Sequence, residues 1–410
     1  MSEWKKVKLG ELYEVHNGLS KGRQFFGTGF PFLTFSNVFN NWFLPDQLES
    51  LVQTTDKERE ACSIKAGDVF ITRTSETMDE LGMSSVALKD YPNATYNGFT
   101  KRLRPITNRV NPRYIGYYLR TPKFRGQFMA FSSMTTRASL ANNDLLNMEV
   151  ELPSMEIQHR IATILSRYDS LIESHLKQIK LLEEAAQRLY KEWFVDLRFP
   201  GHENTKIVDG VPEGWEKKKL SELFSFVRGK SYTSKELSDE GTIMVNLKNI
   251  QSFGGYKSDV EKHFIGTFKE EQTLMKGDLI MGVTDMTQER RLVGSVALIP
   301  DFKETATFSM DLIKLISFKL PNIYLYCAMR YGDVSRQIAP LANGVNVLHL
   351  KPEAISNIEM VVASDSIIEK FVSYTSKTIE SILSLQSQLR LLTEARDRLL
   401  PKLMSGEIEI

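Results

Sequence analysis

The chain has 410 residues, 42% hydrophobic and 25% charged, too long for one ordinary domain and ordinary in composition for a globular protein. Its formal charge of +1 does not by itself point to a nucleic-acid partner, and no run of about 18 apolar residues or signal-peptide core suggests a membrane span or export. Two cysteines without CxxC spacing (Cys62 and Cys327) and six scattered histidines suit a reducing cytoplasm and argue against a disulfide framework or a metal site.

Residues 1–153 read as a turn-rich β domain. Short apolar runs from Asp68 to Thr72 and from Ser84 to Leu88 are bounded by Gly, Pro and Asn. Between Tyr91 and Asn143 stand nine Lys/Arg and no Asp or Glu: Lys101, Arg102, Arg104, Arg109, Arg113, Arg120, Lys123, Arg125 and Arg137. Tyr96, Phe99, Tyr114, Tyr117, Tyr118 and Phe124 lie among them. Attraction to phosphates is local, being screened beyond roughly 8 Å at physiological salt, so this local excess counts for more than the net charge. A merely solvated basic face is the bland alternative.

The segment 154–199 reads as a first long helix, free of Gly and Pro. Ile161, Leu165, Tyr168, Ile172, His175, Ile179, Leu182, Ala186 and Leu189 alternate spacings of four and three, a coiled-coil seam in which His175 is packed or hydrogen-bonded rather than a ligand. Phe199-Pro200-Gly201 ends this helix, and 200–214 is a polar linker. A second β domain is expected over 215–363, with strand-like runs from Leu279 to Val283 and from Ser295 to Ile299. The segment 364–410 holds a second long helix and a tail. Its seam is Phe371, Thr375, Thr378, Ile382, Leu385, Leu389, Leu392, Arg396 and Leu399, each 210 residues after its counterpart, and Pro401 with Ser405-Gly406 ends the helix.

The offset runs through the whole chain. Trp4-x4-Leu9-x2-Leu12-Tyr13 returns as Trp215-x4-Leu220-x2-Leu223-Phe224, Gly18 as Gly229, Lys65-Ala66-Gly67-Asp68 as Lys276-Gly277-Asp278, and Ser85-Val86-Ala87-Leu88 as Ser295-Val296-Ala297-Leu298. The chain is a duplication. The fold class expected is α+β: two tandem β-rich globular domains separated by two long antiparallel coiled-coil helices with pseudo-two-fold symmetry. At about 1.5 Å per residue, Ile161 to Leu189 spans roughly 42 Å, a length suited to two recognition sites about one turn of B-DNA (roughly 34–36 Å) apart.

One stretch carries a family resemblance. Glu151-Leu152-Pro153-Ser154 leads into Ile157-Gln158-x2-Ile161-Ala162-x-Ile164-Leu165-x3-Asp169-x2-Ile172. Leu189-Tyr190-Lys191-Glu192-Trp193-Phe194-Val195-Asp196, Phe199-Pro200-Gly201-His202-Glu203 and Val211-Pro212-Glu213-Gly214-Trp215 follow. The chain resembles the specificity subunits of type I restriction-modification systems over nearly its whole length. The second copy departs where Ala363 replaces the Leu-Pro pair and Glu369 and Lys370 replace the Gln-x-Arg pattern. The resemblance implies that each β domain is a target-recognition domain reading one half of a bipartite double-stranded DNA target. It implies that the helices dock two modification (methyltransferase) subunits, through which restriction subunits join. It also implies a chain without catalysis or cofactor of its own, S-adenosylmethionine, ATP and Mg serving the partner subunits.

Base edges favour Arg on guanine and Asn or Gln on adenine, whereas Lys, Ser and Thr hold phosphates. The DNA-contact residues expected in the first domain are Lys21, Arg23, Thr72, Arg73, Thr74, Asn97, Lys101, Arg102, Thr135, Thr136 and Arg137. In the second they are Lys230, Ser231, Thr284, Gln288, Arg290, Asn343 and Asn346. The scaffold markers repeat while these loops differ, Thr72-Arg73-Thr74-Ser75 standing opposite Gly282-Val283-Thr284-Asp285, so the two half-sites should differ. Phe25-Phe26-Gly27-Thr28-Gly29 matches a methyltransferase glycine loop but is expected to be a turn, because the chain has no Pro-Pro for the accompanying base-holding motif. Gly229-Lys230-Ser231 lacks the earlier Gly of a phosphate-binding loop, Phe224 standing there. A coiled-coil adaptor that binds only proteins is the rival reading, and the acid-free basic stretch is what speaks against it.

Overall fold

A computed structural model describes residues 4–75, 81–131, 138–258 and 262–410. Packing groups the chain into two units, Met1–Ser170 with Ala395–Ile410, and Leu171–Glu394. These divisions fall within the long helices rather than at their starts, because each β domain packs against parts of both helices.

In the first unit an antiparallel four-stranded sheet orders Tyr13–Asn17, Thr100–Pro105, Val69–Thr72 and Ser84–Val86. Val69-Phe70-Ile71-Thr72 is wholly buried and rich in branched and aromatic side chains, which favours a central strand covered on both faces. The pleat sends alternate residues to opposite layers. Val69 and Ile71 join a core with Tyr114, Tyr117, Tyr118, Phe124 and Leu165, built on the helices Pro112–Tyr118 and Pro122–Phe131 and the first turns of the first long helix. Phe70 joins the other layer with Leu33, Val38 and Tyr96, where Phe26–Leu33 runs parallel to Thr95–Tyr96. Lys5–Lys8 pairs with Glu149–Leu152, fastening the start of the domain to the strand just before the long helix.

The second unit repeats the central sheet strand for strand, while its outer sheet has four strands against three among the described residues. Phe224–Arg228, Leu312–Ser317, Leu279–Gly282 and Val296–Leu298 form the same sheet, and Glu216–Lys219 pairs with Glu359–Val362. Leu279 and Met281 face the helical layer, Ile280 the other. Two repeated sequence markers acquire a physical reason. A Cβ on Gly18 would lie 2.2 Å from the Asn97 carbonyl oxygen, and one on Gly229 would lie 2.0 Å from that of Ser309. Only glycine fits where these loops cross. Gly67 and Gly277 take left-handed φ of 88° and 85° in the turn before the central strand, and the following Asp68 and Asp278 accept the backbone N–H of Lys65 (2.7 Å) and Met275 (2.9 Å).

The first long helix is Met155–Tyr190, continued by a π-helical turn over Lys191–Val195, and the second is Asp365–Ser405. Within the second unit they run antiparallel: His175 meets Gln388 (2.9 Å) while Trp193 lies 5.9 Å from Phe371, ring to ring. None of the expected seam residues is exposed. Ile179, Phe371, Ile382 and Leu389 are buried, and Ile172, Leu182, Leu189 and Leu385 pack at the margin of that core. Leu392 is half-buried. In the first unit Ile161 and Leu165 share a core with Leu400 and Leu403, Leu399 packs against it, and Arg396 bonds Asp169 at 2.9 Å.

A single seam is only half of the second helix. Ile379, Leu383, Gln386 and Arg390 form a further buried stripe against the second β domain. There Gln386 donates to the Tyr256 carbonyl (3.3 Å) and Arg390 to that of Phe302 (2.9 Å). Among the described residues no helix is long and apolar enough to cross a membrane.

Candidate nucleic-acid interface

Loops converge at one end of each four-stranded sheet. In the first unit the parallel bridge of Leu19 with Asn97 sets the 18–23 loop beside the turn 97–100. Arg73 N–H donates to the Phe99 carbonyl (3.0 Å), and Leu140 N–H donates to the Arg73 carbonyl (3.1 Å), drawing in 72–75 and 138–142. The second unit uses equivalent bonds. Lys230 bridges Ser309, Val283 N–H donates to the Asp311 carbonyl (2.9 Å), and Leu350 N–H donates to that of Val283 (2.7 Å). Thr284–Asp285 pairs with Leu348–His349, as Thr74–Ser75 pairs with Ala138–Ser139. One scaffold therefore brings four loops together twice, with different side chains each time.

The expected contact residues divide by exposure. Arg23, Ser231, Gln288, Asn343 and Asn346 are exposed in these loops, and Lys230 is half-buried there. Lys21 pairs with Glu58 at 2.9 Å and lies over the Phe25 ring. Glu58 is held down at about 2 by the Thr55 backbone N–H and by Lys21. Asn97 uses its Oδ1 within its own turn, accepting Phe99 N–H at 2.6 Å, and Gln288 donates to the Val345 carbonyl (2.8 Å). Arg73 is half-buried, its Nε without a partner among the described residues. Arg290 has a φ of 53°, donates to the Pro340 carbonyl (3.3 Å), and lines a cleft of about 610 Å³ with Arg291 and Arg336. Thr74 lies on its short strand; Thr135, Thr136 and Arg137 lie outside the described residues.

Thr72, Lys101, Arg102 and Thr284 are corrections: all four are buried, at 0, 4, 2 and 5% exposure. Arg102 donates to the Ser63 (2.7 Å) and Ala61 (3.3 Å) carbonyls, and Lys101 donates to Asn142. Burial, then the neighbouring Arg73 charge, lowers the Lys101 ammonium. The Thr72 hydroxyl accepts Met83 N–H (3.0 Å), and that of Thr284 donates to Asp311 (2.9 Å). The polar ends of these side chains are used inside the domains, where loop side chains open to solvent were expected.

The acid-free stretch is corrected likewise. Six of its nine cations serve the fold: besides Lys101 and Arg102, Arg104 grips buried Asp68 through two bonds, 2.6 and 2.8 Å. Arg120 donates to the carbonyls of Ser84, Val38, Phe39 and Asn41, Lys123 to Glu151 (2.6 Å) and Arg125 to the Leu81 carbonyl (3.4 Å). Burial pushes Arg120 down to about 10, with Arg125 adding to the shift. Of the interleaved aromatics only Phe99 is exposed; Tyr96, Tyr114, Tyr117, Tyr118 and Phe124 are core. The glycine-loop look-alike is not a turn but part of the strand Phe26–Leu33, where a bulge lies between Phe26 and Phe30 and Gly29 sits against the Val52 carbonyl. The clusters also expose apolar side chains, Phe99, Met286, Met310 and Val345, which the expected contact set leaves out because it is drawn from cations, amides and hydroxyls.

Residues 1–184 match the type I restriction modification DNA specificity domain. The whole chain is 26% identical to the type I restriction enzyme MjaIX specificity subunit of Methanocaldococcus jannaschii, covering 94% of it. It is 24% identical to the type I restriction enzyme HindI specificity subunit of Haemophilus influenzae, with all of both chains covered. Over its whole length the chain is thus similar to specificity subunits of type I restriction enzymes, with the family's DNA specificity domain matched in its first 184 residues. Its fold is that of the S subunit of the type I system from M. genitalium, with a TM-score of 0.58 at 15% identity over 98% of this chain and 96% of that one.

Proposed function

We propose that the chain is the DNA sequence-specificity subunit of a type I restriction-modification complex, reading a bipartite double-stranded target with one loop cluster per half-site. The observation that carries this reading is the pair of loop clusters, built by equivalent backbone bonds on a duplicated scaffold yet lined by different side chains. Likeness to type I specificity subunits suggests the role, and the clusters offer a place for it. A duplicated reader with identical loops would favour a symmetric target, whereas these loops favour an asymmetric one.

The chain in this reading performs no chemistry. Methyl transfer from S-adenosylmethionine belongs to two modification subunits docked on the long helices, and ATP- and Mg-dependent cleavage to restriction subunits that join through them. The domain limits proposed are 1–153 and 215–363 for the two recognition domains, with 154–199 and 364–410 as spacer helices.

The adaptor reading gains from the internal use of most basic residues, and it loses on the paired loop clusters, which a protein clamp does not need. A mobility-shift experiment on the chain with its modification subunits separates the two. Retardation of one duplex sequence over a scrambled one, by about 10³-fold or more in affinity, is expected; absence of any sequence selectivity would favour the adaptor. The isolated chain should transfer no label from methyl-labelled S-adenosylmethionine.

A further inference from the structure

The second loop cluster ends in apolar side chains. Met286, Met310 and Val345 are 76, 55 and 87% exposed, on three loops tied to one another. Gln288 donates to the Val345 carbonyl, and Val283 N–H to that of Asp311. Single exposed apolar residues are common on protein surfaces, but three on adjoining loop tips with a fixed backbone are not explained by chance exposure.

Each tip sits on a loop closed by its own hydrogen bonds. Asp285, 1% exposed, accepts Thr287 N–H and Leu292 N–H, both at 2.8 Å, closing the loop that carries Met286. Met310 N–H donates to the Lys230 carbonyl (2.9 Å), and Leu312 N–H closes its turn on Ser309 (3.0 Å). Val345 follows Gly344, whose φ is 154° and whose Cβ would strike the Val347 carbonyl oxygen at 1.9 Å, in a hairpin closed by reciprocal bonds between Asn343 and His349.

The first unit does something similar. Its turn 97–100 is equivalent to 309–312, each closed by the same backbone bond, and it exposes Phe99 (58%) one position further along.

We infer that Met286, Met310 and Val345 make direct apolar contact with the bases of the second half-site, an inference that rests on the DNA-specificity reading above. Duplex DNA offers an apolar side chain two surfaces: the thymine 5-methyl group in the major groove, or the face of a base at an opened step. The exposed Ser231, Asn343 and Asn346 and the half-buried Lys230 around the tips suit the flanking phosphates. Specificity in this half-site then lies in shape and methyl groups, and not chiefly in amide or guanidinium readout.

The test uses the chain assembled with its modification subunits and duplexes carrying the mapped target. The combined variant Met286→Gln, Met310→Gln and Val345→Thr keeps side-chain size on exposed positions and removes apolarity. It should lower discrimination of the second half-site from a scrambled one by roughly tenfold or more while leaving the first half-site unchanged. Uracil in place of thymine should cost the wild-type assembly about fourfold, and the variant nothing, where the methyl group is the contact. Brightening of a 2-aminopurine in the half-site, on binding wild type but not the variant, marks an opened step. A variant that discriminates the second half-site as wild type does overturns the inference. A wild-type assembly with no sequence preference overturns the DNA-specificity reading itself.

Discussion

Arg102 and Lys314 stand at equivalent points of the two sheets and do the same work. Arg102 donates to the Ser63 and Ala61 carbonyls beneath the central strand; Lys314 donates to the Thr273 carbonyl (2.8 Å) and lies 3.7 Å from Asp278. Both are buried, at 2 and 9% exposure. A cation in such a place stabilises the fold because truncation would leave carbonyls without donors and an empty volume. Arg102→Ala is therefore expected to cost about 2–4 kcal/mol in urea unfolding of the purified chain while leaving target choice unchanged in the assembled complex. A stable variant with an altered first half-site would return Arg102 to the interface. Residue type alone could not make this distinction, since an arginine bonded to carbonyls and one aimed at guanine read alike in a sequence.

The long helices were the most legible elements. Their heptads needed nothing beyond the chain, because a seam between two helices is a local periodicity, and every residue named for it is buried or half-buried. The stripe Ile379, Leu383, Gln386 and Arg390 was not legible: it includes a glutamine and an arginine whose polar ends meet backbone carbonyls, so it shows no apolar period. The end of the first helix also departs from the 154–199 reading. The π turn at Lys191–Val195 closes with Asp196 N–H donating to the Lys191 carbonyl (2.8 Å), and it sets Trp193 and Phe194 against Phe371. Ile179 is the most buried seam residue of the first helix within the second unit apart from Ala186. Ile179→Asp should destabilise the helix pair by about 3 kcal/mol or more, read as an earlier unfolding transition, whereas Lys180→Asp on the exposed face should cost little. Equal stability of the two variants would contradict the seam.

At the scale of the whole molecule, the duplication explains both what was legible and what was not. Glycines and aspartates that recur at fixed offsets mark the scaffold, because close approaches and turn caps admit few residue types. Of the loop clusters only the crossing at Gly18 and Gly229 carries such a marker; their other members come from separate stretches of chain that the paired strands bring together. The basic stretch misled because the same segment builds the helical layer and the central strands, where cations find carbonyls and tyrosines find a core. The consequence is one framework carrying two unlike loop clusters, which the proposed function makes two half-site readers. Its most direct test is a genome-wide map of methylated adenines in cells that carry this chain with its modification subunits, compared with cells that lack it. Two short fixed blocks separated by unspecified bases are expected, with substitutions in one loop cluster changing one block only. A continuous motif, or a methylation pattern indifferent to the chain, would contradict it.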